Sequence, residues 1–169
     1  MKRIFMICCA VLLLCQTTSL ARQMPKEEIS IGGLTIGCTM GYVESLYGAP
    51  PQKKWQEDRS HPRTVVYYIT YEYSPTFNVI GRTTKGQSYE DEQNAKLYSV
   101  SVKDDSLSTP SGITVGMPYK AVAEMFGEAP KRTFPNGQSF YMHSFRGSDM
   151  YFYVNAEEII TEIHISPQD

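Results

Sequence analysis

Two short stretches of the chain carry the spacing of a helix that buries one side. Val43, Leu46 and Tyr47 stand at i, i+3 and i+4, and Val122, Met125 and Phe126 repeat that spacing. Side chains so placed line one side of a helix, so each stretch predicts a short helix with an apolar stripe. Thr39 is positioned to cap the first helix by accepting from backbone N–H groups that lack a partner within it. Pro118 holds the same place in the second, where a missing N–H costs nothing. Gly48 and Gly127 stand where a left-handed residue ends a helix, and a proline, Pro51 or Pro130, follows three residues later. After each helix the pattern changes to runs rich in β-branched and aromatic residues. Residues 64–73, 76–82 and 96–102 predict strands after the first helix, and 139–145, 150–155 and 160–165 after the second. The polar, glycine-containing stretch 83–94 (TTKGQSYEDEQN) predicts an exposed loop or an elongated hairpin.

The two helical stretches also match each other. Residues 33–53 (GLTIGCTMGYVESLYGAPPQK) align with 112–132 (GITVGMPYKAVAEMFGEAPKR), with identities at Gly33/Gly112, Thr35/Thr114, Gly37/Gly116, Val43/Val122, Gly48/Gly127 and Pro51/Pro130. Leu34/Ile113, Ile36/Val115 and Tyr47/Phe126 keep apolar character. Such self-similarity predicts a tandem duplication. The expected fold class is α+β: two tandem repeats, each a short helical segment packed on a three-to-four-stranded antiparallel sheet. The expected units are 22–107 and 108–169, joined through the charged, turn-rich stretch 103–110 (KDDSLSTP).

The first 21 residues have the three parts of a secretory signal peptide. Lys2 and Arg3 precede an apolar stretch, 4–15, which is shorter than the ~20 apolar residues needed to span a bilayer. Ser19 and Ala21 supply the small residues of a cleavage site, so cleavage is expected after Ala21. The expected location is outside the cytoplasm: periplasm, cell envelope or extracellular space, with no membrane span after cleavage. Lipidation at Cys15 is the alternative, although Leu14 suits that processing poorly. Of the four cysteines only Cys38 lies beyond the leader, which predicts no internal disulfide. Its counterpart in the second stretch is Met117, so packing is the expected role of Cys38. The chain has 16 basic and 18 acidic residues, net −2, and loss of Lys2 and Arg3 with the leader makes this −4. With no basic stripe, nucleic-acid binding is not predicted.

The run of apolar–Thr–apolar–Gly, a helix with Val43 or Val122 near its start, and Gly-x-x-Pro resembles the lead segment of the β-lactamase-inhibitor-protein-like superfamily. That group includes small lipoproteins of outer-membrane β-barrel assembly. The two-copy arrangement is most similar to the inhibitor form, which sets two tandem units on a continuous concave sheet. The resemblance implies a protein-binding or inhibitor-like module. The chain departs from that pattern in having one cysteine beyond the expected leader where inhibitors of the family carry disulfides, and its residues match none of their inhibitory contacts.

Catalytic motifs are scarce: the chain has no GxSxG, HExxH, CxxC or P-loop. The histidines are His61, His143 and His164. His143 and His164 alternate with apolar residues and are expected to share a sheet face, with a metal pair there disfavoured for want of further ligands. Glu90, Asp91 and Glu92 lack the alternating oxygens of a calcium loop and are expected to be solvated. A Cys38–His143 nucleophile pair is weighed only as a minor alternative. No metal or other cofactor is predicted. The tyrosines are the stronger signal. With Met150, Phe152, Val154, Val100, Val102, Ile163 and Ile165 facing the core, Tyr151 and Tyr153 face away, and Tyr68, Tyr141 and His143 are expected to join them. Such a face suits protein recognition, because tyrosine offers large contact area at low entropic cost. The expected function is an exported, non-enzymatic protein-binding or inhibitor-like module that uses the open face of its sheet. The alternative is a cell-envelope assembly or structural accessory protein, lipid-anchored through Cys15.

Overall fold

The structure is a computed structural model that describes residues 24–60 and 62–168. The expected leader, Cys15 and His61 lie outside these residues. Eight strands dominate: β1 Gln52–Asp58, β2 Val66–Glu72, β3 Phe77–Thr83, β4 Lys96–Val102, β5 Lys131–Thr133, β6 Ser139–Phe145, β7 Ser148–Val154 and β8 Ile160–Pro167. They form one antiparallel sheet in the order β1-β2-β3-β4-β8-β7-β6-β5. The helices are short: α1 Met40–Tyr47, α2 Tyr89–Asn94 and α3 Tyr119–Phe126, preceded by a 3-10 turn at Lys26–Glu28.

This corrects the expected fold class. The chain is not a tandem repeat of helix-on-sheet units but mostly one continuous eight-stranded antiparallel sheet with three short helices. Its middle is the pairing of β4 with β8, where Val100, Ser101 and Val102 stand opposite Ile165, His164 and Ile163. Two separate sheets would each leave an unpaired row of backbone donors and acceptors at that edge, and the pairing removes both rows. The core runs through the join, since Ile69, Val79, Val100, Val102, Phe152, Ile163 and Ile165 belong to a single buried cluster.

The likeness of 33–53 and 112–132 is local. Both hold an eight-residue helix ended by a glycine with positive φ, Gly48 at 78° and Gly127 at 85°. Thr39 caps α1 as expected, its side chain accepting from the Tyr42 N–H at 3.1 Å. The buried stripes differ from the predicted ones. Leu46 and Met125 are exposed, and the residues facing the sheet are Met40, Val43 and Tyr47 on α1 and Tyr119, Val122 and Phe126 on α3. A helix of two turns lying on a sheet buries only a narrow line of side chains, so the position beside that line stays in solvent. Contact between α1 and the sheet is close: a side-chain carbon at Gly81 would stand 2.5 Å from Met40 Cγ.

Two edge strands and one helix were not foreseen. β1 reads QKKWQED and β5 reads KRT, both mostly exposed and charged. Charge protects a sheet edge from further pairing, and it also hides the apolar alternation by which strands are recognised. The stretch 83–94, expected as a loop or hairpin, holds α2. Ser88 Oγ accepts from the Asp91 N–H and donates to the Asp91 carboxylate, which starts the helix. Glu92 on α2 is buried, not solvated. It receives hydrogen bonds from Lys53 Nζ and from the Tyr71 hydroxyl, each at 2.5 Å. The expected junction, 103–110, is likewise packed: buried Glu28 accepts from the Thr109 hydroxyl and from the backbone and hydroxyl of Ser111.

Candidate functional site

The sheet has a face covered by α1 and α3 and an open face. On β7, Met150, Phe152 and Val154 point to the covered side and are buried, while Tyr151 and Tyr153 point to the open side and are half-buried. Register carries these faces to the neighbouring strands. Phe140, Met142 and Ser144 on β6 stand opposite Tyr153, Tyr151 and Asp149. Glu162, His164 and Ser166 on β8 stand opposite the same three residues.

Tyr141 and His143 therefore lie on the covered face, opposite Phe152 and Met150, contrary to expectation. Both are buried, and His143 and His164 are on opposite faces. The cause is the β6–β7 hairpin. Arg146 and Gly147 both have positive φ, 39° and 88°, as the tight two-residue turn between right-twisted strands requires. That turn sets Phe145 against Ser148, and every later pair follows from it. Once β7 is oriented by its apolar residues, Phe145-Arg146-Gly147-Ser148 decides the orientation of β6; alternation alone could not, because both sides of β6 carry aromatic residues.

Tyr141 and His143 serve packing. The Tyr141 ring stacks on Tyr119 with centroids 3.5 Å apart. Its hydroxyl donates to Glu158, and burial together with that carboxylate pushes its pKa up to about 12. The Tyr119 hydroxyl accepts from the Ala129 N–H at 3.1 Å and lies 3.0 Å from His143 Nε2. The hydroxyl thus bridges the Ala129 backbone and the His143 ring, and the direction of its bond to Nε2 follows the tautomer of the imidazole. Burial pushes the His143 pKa below its usual value, which keeps the ring neutral. Cys38 is half-buried against the core, and burial pushes its thiol pKa up, which suits packing and not nucleophilic attack. It neighbours Leu97 on β4, whereas His143 packs beside α3, so they form no pair. Among the described residues no group of three or more His, Cys, Asp or Glu side chains is placed to hold a metal.

The open face carries a groove of about 370 Å³ lined by Arg132, Phe134, Phe140, Met142, Tyr151, Tyr153, His164 and Ser166. Its aromatic rings form a chain. Phe134 stacks on Phe140 at 4.7 Å, Phe140 meets Tyr153 at 5.7 Å, and Tyr151 meets His164 at 5.6 Å. Burial raises the Tyr153 pKa and lowers that of His164, so at neutral pH both are uncharged. Asp149, next along β7, is buried, and its Oδ1 has no hydrogen-bond partner among the described residues. A buried acceptor without a donor is costly, and this one lies outside the groove lining. Tyr151 and Tyr153 thus lie where expected. Arg132, Phe134, Phe140 and Met142 were missed, the first two because β5 was not recognised as a strand. Tyr68 is on the open face but far along it, packed edge-on against Tyr98 at 5.5 Å.

No protein-family profile matches the chain, and no curated protein does. Solved structures share the fold. A cysteine-rich secretory protein (SAV1118) from Staphylococcus aureus aligns with 86% of this chain and 47% of its own at 11% identity, TM-score 0.56. An extracellular protein containing a SCP domain from Bacillus anthracis aligns with 87% of this chain and 49% of its own at 10% identity, TM-score 0.53. The chain thus spans about half the length of each. Both are described as secretory or extracellular, and among the described residues no helix is long and apolar enough to cross a membrane.

Proposed function

We propose that the protein is an exported, non-enzymatic binding module that holds a segment of another protein against the open face of its sheet. The observation that carries this reading is the groove across β5–β8, lined by a row of aromatic side chains on the open face. Phe134, Phe140, Tyr151 and Tyr153 offer the rigid, amphipathic contact area that binding sites favour. Arg132 at the rim from β5 would take a partner carboxylate. The resemblance of 33–53 and 112–132 to the β-lactamase-inhibitor-protein-like group fits an inhibitor-like role. Export is supported by the leader-like first 21 residues.

The test is recovery of proteins from an envelope or secretome extract by the wild-type chain and by Tyr151→Ala/Tyr153→Ala, with Tyr42→Ala on the helix side as the control. Selective loss of a partner in the groove variant supports the reading. Equal recovery of every partner by all three proteins would refute it.

A further inference from the structure

A second hollow, of about 680 Å³, lies where β3 ends and β4 begins, beside Pro167 at the end of β8. Three cations line it, Arg82, Lys85 and Lys96, with Asn94 and Tyr98, and no carboxylate among the described residues joins them. This is unusual in a chain whose net charge is −2. Arg82 and Lys96 are direct partners across the β3–β4 ladder. Like charges set opposite each other on a sheet oppose its pairing. Among the described residues none of the three cations forms an ion pair. Arg82 is nonetheless held in place: its guanidinium lies 5.8 Å from the centre of the Tyr98 ring, and Tyr98 is wedged edge-on by Tyr68. A β-bulge at Ile80/Gly81, next to Arg82, interrupts the ladder here, and bulges commonly re-aim side chains toward a site.

We propose that this hollow binds a compact, multiply charged oxyanion, a phosphate or sulfate group, with Arg82 and Lys96 as its two direct ligands and Lys85 completing the charge. The planar fork of arginine matches such a group through paired N–H donors, and lysine adds a point charge. A single carboxylate would leave most of the positive charge uncompensated, whereas a dianion relieves the Arg82–Lys96 repulsion. The volume exceeds that of one oxyanion, so there is room for the rest of an ester beside Asn94. Tyr68 acts here as a positioning residue, through Tyr98. The site shares none of its residues with the aromatic groove and stands independently of the reading above.

The experiment is an amide NMR titration of the leader-free chain with inorganic phosphate, sulfate and glycerol 3-phosphate, each against chloride at matched ionic strength. Saturable shifts confined to 82–85 and 94–98 are expected. Arg82→Gln/Lys96→Gln should weaken binding at least tenfold without lowering the melting temperature, because it removes a like-charge pair. Tyr68→Ala should weaken it severalfold although all three charges remain. Tighter binding of glycerol 3-phosphate than of phosphate identifies an ester, and equal binding identifies the free ion; both uphold the oxyanion site. Shifts no larger than those at Lys54, Lys103 and Lys120, or undiminished binding by the Arg82→Gln/Lys96→Gln chain, would overturn it.

Discussion

Replacing Tyr119 by Phe tests how the two faces of the sheet are assigned. The substitution removes one oxygen and leaves the ring stacked on Tyr141. That oxygen accepts from the Ala129 N–H at 3.1 Å and bonds His143 Nε2 at 3.0 Å, and all three residues are buried. The variant therefore leaves the Ala129 N–H and His143 Nε2 without partners away from water. Each such orphan costs about 1–3 kcal/mol, so a total loss of at least about 2 kcal/mol is expected. For a domain of this size that is a melting shift of at least roughly 4–8 °C. Tyr153→Phe is the matched control on the open face. Its hydroxyl bonds no described residue, and a surface change of that kind stays within about 0.5 kcal/mol. Equilibrium unfolding in urea, followed by far-UV circular dichroism, measures both. A Tyr119→Phe loss below about 0.5 kcal/mol, or a larger loss for Tyr153→Phe, would refute the assignment of faces.

The folded-state pKa values of His143 and His164 are both lowered by burial. Their stabilising contribution is full above the unfolded value of about 6.5 and is lost as pH falls below it and through the lowered folded values; unfolding midpoints measured from pH 7.5 down to 5 should fall, less steeply in His143→Gln. Glu92→Gln weakens the acceptor shared by Lys53 and Tyr71 and should cost about 1–3 kcal/mol in urea unfolding, whereas a solvated Glu92 would cost nothing measurable. Gly81→Ala forces a methyl against Met40 and should destabilise by about 1–3 kcal/mol, and the Gly81→Ala/Met40→Ala double variant should lose less than the sum of the two single losses; strict additivity would contradict the close approach of α1 to the sheet.

Strands with apolar alternation were legible in the sequence. β4 and β6 begin and end where the pattern predicts, and the core side of β7 follows from Met150, Phe152 and Val154. β1 and β5 were not, because a protected edge is built from lysine and arginine. α2 escaped because its polar face dominates six residues, although Ser88 with Asp91 three positions later is a capping signal. The largest miss was global. Similar lead segments predicted a tandem repeat of helix-on-sheet units, but similarity along a chain does not say whether two edges will pair, and here β4 and β8 join into one sheet. On the site, Tyr151 and Tyr153 were placed from their own strand. Tyr141 and His143 were misplaced because β6 has aromatic residues on both sides and only the Arg146–Gly147 turn distinguishes them.

The open face as the binding surface is tested most directly by site-specific photo-crosslinking. A benzoyl-phenylalanine is placed at Tyr153, at Phe134, or at the helix-side positions Tyr42 and Tyr89, both of them exposed. Each protein is irradiated in an envelope or secretome extract, and the adducts are identified by mass spectrometry. The same protein should be captured from Tyr153 and from Phe134, but not from Tyr42 or Tyr89. Capture from the helix side alone, or equally from all four positions, would contradict the role given to the open face.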